Sequence, residues 1–384
     1  MRIAFIDVTV TVSFGGIQTA VWELAKALHD LQHEVTVFGG EGEIWPNLGE
    51  RSISIKKHPF TSRDKVLDLG SRFRRLWERW SFSNHFRQEV IDGCFDWVIV
   101  TKPFDFFWPW RMDRPTTTRF CFMSGGTDFF IGDRYLSNKI DAWAACSHFN
   151  AWQIAHHYKK HPEVIFNGVD INLFFPKTAD DAVRAQLGIE KDEIVFSFAG
   201  RMVGWKGLHV VIRALAEKVL ANCPVKLLLI GDGDARISLE KLAQKLGVSD
   251  RVVFQPPVPH HQLPEMYSAS DIGVFPSIGD EAFGITIAEA MACGIPVLAS
   301  HIGGIPEVVG NEGSCGLLLP VGDHKVWAEA MAYLAENYEA RRNLGLAAAQ
   351  RIRNFYTWKH SADRLAHLLE NTFPIDRLIP KCMD

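Results

Sequence analysis

The stretch IAFIDVTVTVSFGGIQTAVWELAKALHDLQHEVTVF, residues 3–38, decides how the first half of the chain is built. Ile3–Ile6 is a short apolar run, Gly15-Gly16 closes a loop, and Ile17, Ala20, Val21, Leu24, Leu28 and Leu31 recur at three- and four-residue spacing. That spacing predicts one apolar stripe along a helix. A second strand is expected at Glu34–Phe38. A strand–helix–strand opening predicts a parallel sheet with helices on its faces.

Working outward, further strands are expected at Trp97–Val100, at Arg119–Met123 (ending in Ser124-Gly125-Gly126-Thr127-Asp128) and at Ala142–Cys146, the last of this half. Asn167-Gly168-Val169-Asp170, followed by Pro176, is turn chemistry and reads as a linker. The rhythm then restarts, with strands at Ile194–Phe198, Val225–Ile230, Val252–Gln255, Ile272–Phe275, Pro296–Ala299 and Gly316–Leu319. Helical patterns lie at 208–221, 236–246, 284–293, 323–337, 339–354 and about 358–373. The fold class is α/β: two doubly wound Rossmann-like domains, 1–168 and 176–355, facing across a cleft. Ligands of such sheets bind outside the carboxyl ends of the strands, and a cleft between domains suits a small molecule.

Composition agrees with this. A chain of 384 residues exceeds what one core comfortably serves. A net charge of −4 argues against a general nucleic-acid binder. Seven cysteines, none in a C-x-x-C pair, point to a reducing compartment. Asp7 interrupts the first apolar run, so no signal peptide is read there. No uncharged apolar stretch approaches the ~20 residues that span a bilayer. The expectation is a soluble, cytoplasmic protein.

The segment with the most chemistry is Glu281-Ala282-Phe283-Gly284-Ile285-Thr286-Ile287-Ala288-Glu289. Eight residues apart on one helix, the two glutamates would diverge by about 80°. The pair makes sense if Glu281 lies in the loop and the helix starts near Gly284. Glu281 then faces a sugar, and Glu289 reaches a ribose diol from the second turn. The unpaired N–H groups of Gly284, Ile285 and Thr286 meet a phosphate at the positive helix end. A second segment, Gly200-Arg201-Met202-Val203-Gly204-Trp205-Lys206-Gly207, follows an apolar strand and opens a helix. Its guanidinium and ammonium can converge on one anion. With no metal present, such cations would stabilise a departing diphosphate.

With these residues in order, the chain resembles the retaining family-4 glycosyltransferases of the GT-B fold. Gly15-Gly16, His33-Glu34-Val35, Asn167-Gly168-Val169-Asp170, Gly200-Arg201 with Lys206-Gly207, Gly231-Asp232-Gly233, Glu281–Glu289 and Gly303-Gly304-Ile305-Pro306-Glu307 carry the resemblance over nearly the whole chain. It implies Arg201, Lys206 and Glu281 as the catalytic set. Donor contacts would come from these three and from Gly16, Phe283, Gly284, Ile285, Thr286 and Glu289. It implies transfer of a hexose-type sugar from a nucleotide diphosphate sugar, UDP-sugar slightly favoured, to a carbohydrate or lipid-linked carbohydrate. Bacterial surface polysaccharide or glycoconjugate synthesis is the implied setting. It also implies retention of anomeric configuration, no cofactor, no metal requirement, and a C-terminal helix, about 357–384, crossing back to the first domain. Many relatives carry a histidine where this chain reads Ser124-Gly125-Gly126.

Two other functions fit the same motifs: an epimerase-like GT-B enzyme, or a non-catalytic nucleotide-sugar binder. Asp232-Gly233-Asp234 imitates a metal motif but reads as a strand-to-helix turn, and His156-His157 and His260-His261 are adjacent pairs that cannot both face one metal. Residues 63–88 hold seven Arg/Lys against three acidic residues, with Val66, Leu69, Phe73, Leu76, Trp77 and Trp80 as an apolar face. Such a helix packs on the protein or makes peripheral contact with an anionic membrane at its inner face. The aromatic loop Phe104–Trp110 either stacks on sugar rings or is buried.

Overall fold

The computed structural model describes residues 1–44, 46–112, 118–126, 128–177 and 181–372. Thr127, Cys382 and the part of the expected crossover helix beyond Thr372 lie outside them. The chain divides into two compact units: Met1–Gly168 with the segment from Trp358 onward, and Val169–Thr357.

The first unit is a seven-stranded parallel sheet: β1 Arg2–Ile6, β2 Glu34–Gly40, β3 Ser54–His58, β4 Trp97–Val100, β5 Arg119–Ser124, β6 Ala142–Ala145 and β7 Glu163–Val164. Its order is β3-β2-β1-β4-β5-β6-β7. Registers such as Phe5↔Val37 and Phe5↔Ile99 align the apolar runs across the sheet. The strands read as continuous apolar stretches because helices cover both faces of a parallel sheet. Two strands escape the sequence reading. β3 is SIKKH, and its residues are largely open to solvent. β7 follows Ala142–Ala145, which is therefore not the last strand of its half. Both are edge strands, where one neighbour suffices and no apolar run is required.

The expected helix at 63–88 is also different. Arg63–Lys65 forms one 3-10 turn, and the helix runs Ser71–Asp92. Its inward face is Glu78, Arg79, Phe82, Ser83, Phe86 and Val90, whereas Leu69, Phe73, Trp77 and Trp80 are exposed. The stripe drawn from spacing thus faces mostly outward; of it, Leu76 packs against the core. The aromatic loop is mostly buried: Phe104, Phe106, Phe107 and Trp108 are inside, with Phe106 edge-on to Phe122, while Trp110 is exposed. Trp358–Asn371 packs on the Gly16–Asp30 helix, and Ser361 Oγ donates to the Phe166 carbonyl at 2.6 Å.

The second unit repeats the plan with six strands: β8 Ile194–Ala199, β9 Val225–Ile230, β10 Val252–Gln255, β11 Ile272–Phe275, β12 Val297–Ser300 and β13 Gly316–Leu319. Their order, β10-β9-β8-β11-β12-β13, is the doubly wound 3-2-1-4-5-6 arrangement. In each sheet the connections reverse direction once, between β1 and β4 and between β8 and β11. Those two switch points are where such folds hold ligands.

Candidate functional site

Both charged segments of the second unit leave strands at its switch point. After β8 the chain passes exposed Arg201, makes a 3-10 turn over Gly204–Lys206, and enters the helix Leu208–Leu215 through Gly207. Gly207 has φ +68°, and a Cβ there would lie 1.9 Å from the Pro276 carbonyl oxygen. Only glycine lets the two loops touch at this point. The Ile278 and Gly279 N–H groups then donate to the Trp205 carbonyl at 2.8 and 3.2 Å, locking the loop after β11 to the loop after β8.

This docking joins Lys206 to Glu281. The ammonium donates to Glu281 Oε2, and both side chains are largely but not fully buried, at 15% and 17% exposure. Lys206 also stands 4.5 Å from the centre of the Trp205 ring, a cation–π contact. The Glu281 backbone is held as well: its carbonyl accepts from Gly304 N–H at 2.7 Å. This gives Gly303-Gly304 a local task in the structure.

Gly284, with φ +94°, precedes the eight-residue helix Ile285–Ala292, so Glu281 lies in the loop and Glu289 in the helix's second turn. Phe283 is buried and its ring meets Tyr356 at 5.7 Å. Ile285 and Thr286 open the helix, and the Thr286 carbonyl accepts from Tyr267 OH at 3.1 Å. Glu289 is only 3% exposed. Its Oε1 is 2.6 Å from Nε2 of His260, on the turn after β10. Sequence reading treated His260-His261 only as a failed metal pair, and nothing in the spacing of residues 260 and 289 announces the contact. The Asp232-Gly233-Asp234 segment is a turn: Met202 N–H donates to the Asp232 carbonyl, and Gly233 N–H to Asp232 Oδ1. Among the described residues no group of three or more His, Cys, Asp or Glu side chains could hold a metal ion.

Gly16 belongs to the first unit, as the first residue of the helix Gly16–Asp30. Gln18 of that helix donates to Thr9 Oγ1 at 2.6 Å, and Thr9 Oγ1 to Asp7 Oδ1 at 2.6 Å. Asp7 also accepts from Thr101 Oγ1 and from Arg79, which pairs with Asp105 too. Burial alone would raise Asp7, but Arg79, Thr101 and Thr9 outweigh it and hold the carboxyl below its usual range. Asp105 is pushed up to about 7 by burial, which the same guanidinium only partly offsets. In the Ser124-Gly125-Gly126 segment, a Cβ on Gly125 would lie 2.8 Å from Ile17 Cγ1. Asp128 accepts from Arg75 and Lys102, each at 3.0 Å.

Two Rossmann-like sheets of this order, with a cation–carboxylate pair at one switch point and a glycine-led helix at the other, make a GT-B glycosyltransferase fold. The family model "Glycosyl transferases group 1" matches residues 154–351, and "Glycosyltransferase Family 4" matches residues 14–173. The chain belongs to the group 1 glycosyl transferases.

A D-inositol 3-phosphate glycosyltransferase from Corynebacterium efficiens is 33% identical over 268 residues, 66% of this chain and 62% of that protein. The match thus spans about three fifths of the relative's own length. Among solved structures, a sucrose-phosphate synthase from Thermosynechococcus elongatus superposes with TM-score 0.81 at 22% identity, covering 96% of this chain and 98% of the other. The Anabaena protein HepE, solved with UDP and glucose, gives 0.77 at 22% identity, covering 96% and 99%. These superpositions speak for the fold.

Proposed function

We propose that this chain moves a hexose-type sugar from a nucleotide diphosphate sugar to a carbohydrate or lipid-linked carbohydrate, with retention of configuration and without a metal ion. The observation that carries the reading is the Lys206–Glu281 contact at the switch point of β8 and β11. A cation and a carboxylate that hold each other in a partly open site are pre-positioned for different parts of one substrate. Lys206 and Arg201 take the diphosphate, where negative charge grows as the glycosidic bond breaks. Glu281, an acceptor when ionised, takes hydroxyl donors of the sugar. Gly284, Ile285 and Thr286 offer the N–H groups that any helix start leaves without an intrahelical partner. Glu289 accepts the ribose diol. UDP is favoured as carrier because the Anabaena neighbour was solved with it.

A thermal-shift panel of UDP-, GDP-, ADP- and TDP-sugars tests the donor. Transfer from the selected donor, followed with excess chelator and by NMR of the product anomer, tests the rest. We expect a UDP-sugar to stabilise most, activity to survive chelation, and the anomer to be retained. Epimerised free nucleotide-sugar without acceptor would favour the epimerase-like alternative. Activity lost to chelator and restored by Mg²⁺ would overturn metal independence.

A peripheral membrane role has its own observation. Leu67, Leu69, Phe73, Trp77 and Trp80 are all exposed, from 37% to 75%, beside Arg72 and Arg74. Exposed apolar groups among cations fit the inner, anionic face of a bilayer. No helix among the described residues is long and apolar enough to cross a membrane. The cysteines Cys94, Cys121, Cys146, Cys223, Cys293 and Cys315 are free thiols, which suits a cytoplasmic setting. Flotation with vesicles containing phosphatidylglycerol should carry the protein, and Phe73→Ser/Trp77→Ser should abolish it. Wild type that stays unbound would end this reading.

A further inference from the structure

A carboxylate with as little solvent contact as Glu289 requires a donor beside it. His260 is that donor, Nε2 to Oε1 at 2.6 Å. The imidazole sits on the three-residue turn His260–Gln262 after β10, with its ring 5.2 Å from that of buried Phe174. Of the two partners it is the imidazole that meets solvent, with 34% of its side chain exposed against 4% for Glu289. His261 next to it is exposed. An ionised carboxylate offers about four lone-pair sites, and one imidazole N–H uses one of them. The contact therefore fixes the Glu289 rotamer without exhausting its acceptors.

We propose that His260 is a positioning residue of the ribose subsite, holding the Glu289 carboxylate so that its remaining lone pairs face the ribose diol of the nucleotide. The inference rests on the reading of Glu289 as the ribose contact. It turns that single glutamate into a two-residue unit drawn from the turn after β10 and the helix Ile285–Ala292. It also predicts that a histidine which never touches the reacting atoms controls discrimination between diol-bearing and diol-free nucleotides.

The test is calorimetry with UDP, or whichever diphosphate the panel selects, and with its 2′,3′-dideoxy counterpart. Both are titrated into wild type, His260→Ala, His260→Gln, His261→Ala and Glu289→Gln. His260→Ala should weaken the ribonucleotide about tenfold, the worth of one charge-assisted hydrogen bond, and weaken the dideoxy form far less. His260→Gln places an amide N–H near the position of Nε2 and should recover most of the loss. His261→Ala should behave as wild type. Should His260→Ala fail to fold, His260→Leu fills the space of the ring without a donor and takes its place. Equal weakening of both nucleotides by His260→Ala, with the preference for the diol intact, would show His260 to be a packing residue and overturn the proposal. If Glu289→Gln leaves that preference unchanged, the assignment of Glu289 to the ribose is itself wrong, and the role of His260 falls with it.

Discussion

The two sheets use their switch points in opposite ways. In the first unit, Asp7 after β1 and Thr101 after β4 hydrogen-bond to each other, and Arg79 closes over Asp7 and Asp105. Every member of that group is at most 5% exposed. In the second unit, Lys206 after β8 and Glu281 after β11 meet at the same topological place but keep part of their surface in solvent. The first arrangement surrounds its charges with protein donors and acceptors, which is what buried ions need to be tolerated at all. The second leaves cation and carboxylate paired with each other and part of their surface open to solvent. The same crossover topology thus builds an internal brace in one half and an open, charged site in the other. The brace runs through Thr9 and Gln18 to the helix that Gly16 opens, so it serves the glycine loop indirectly.

The larger expected effect belongs to the open pair. Lys206→Ala should lower turnover about a hundredfold, roughly the 3 kcal/mol lost with one preorganised electrostatic donor. Donor KM should move little, because leaving-group charge grows toward the transition state. Steady-state kinetics with the selected donor checks this. Unchanged turnover with a raised donor KM would make Lys206 a ground-state contact. The second switch point would then differ from the first only in exposure.

Much of the fold and part of the second unit's site were legible in the sequence. Central strands such as Trp97–Val100, Val225–Ile230 and Ile272–Phe275 are bounded correctly by their apolar runs, because both faces of a parallel sheet are covered. The loop position of Glu281 followed from the 80° mismatch with Glu289 and from Gly284. Edge strands β3 and β7 were not legible, since pairing with a neighbour, not hydrophobicity, makes them strands. For Ser71–Asp92 the sequence left packing and membrane contact open, for a related reason. Periodicity shows that a stripe exists, but buried Arg79 and Glu78 occupy the inward side because Asp105 and Arg63 satisfy them. His260–Glu289 and Asp7–Thr101 are contacts between residues 29 and 94 positions apart, which no local pattern encodes.

The smallest expected effect probes the brace through pH. One guanidinium faces two carboxyls, and burial raises Asp105 to about 7 while Asp7 is held below its ordinary value. In the unfolded chain Asp105 returns to an ordinary carboxyl and releases its proton near pH 4. Between about pH 4 and about pH 7 the folded state therefore binds a proton that the unfolded state has given up. A group raised in this way contributes stability that is complete below its unfolded value and is lost as pH rises through its folded one. Asp7 has the opposite sign, losing its contribution only as pH falls below the ordinary carboxyl range, so measurements above pH 4.5 leave it aside. The Tm of wild type should fall relative to that of Asp105→Asn as pH is taken from 5 to 8, by about 2–4 °C for each kcal/mol lost in a unit of this size. Taking the difference between the two proteins cancels histidines and other groups common to both. If the two Tm curves run parallel, Asp105 is ionised throughout and Arg79 carries both carboxylates as anions. The first switch point would then be a fully charged pair like the second, and the distinction between brace and open site would rest on solvent access alone.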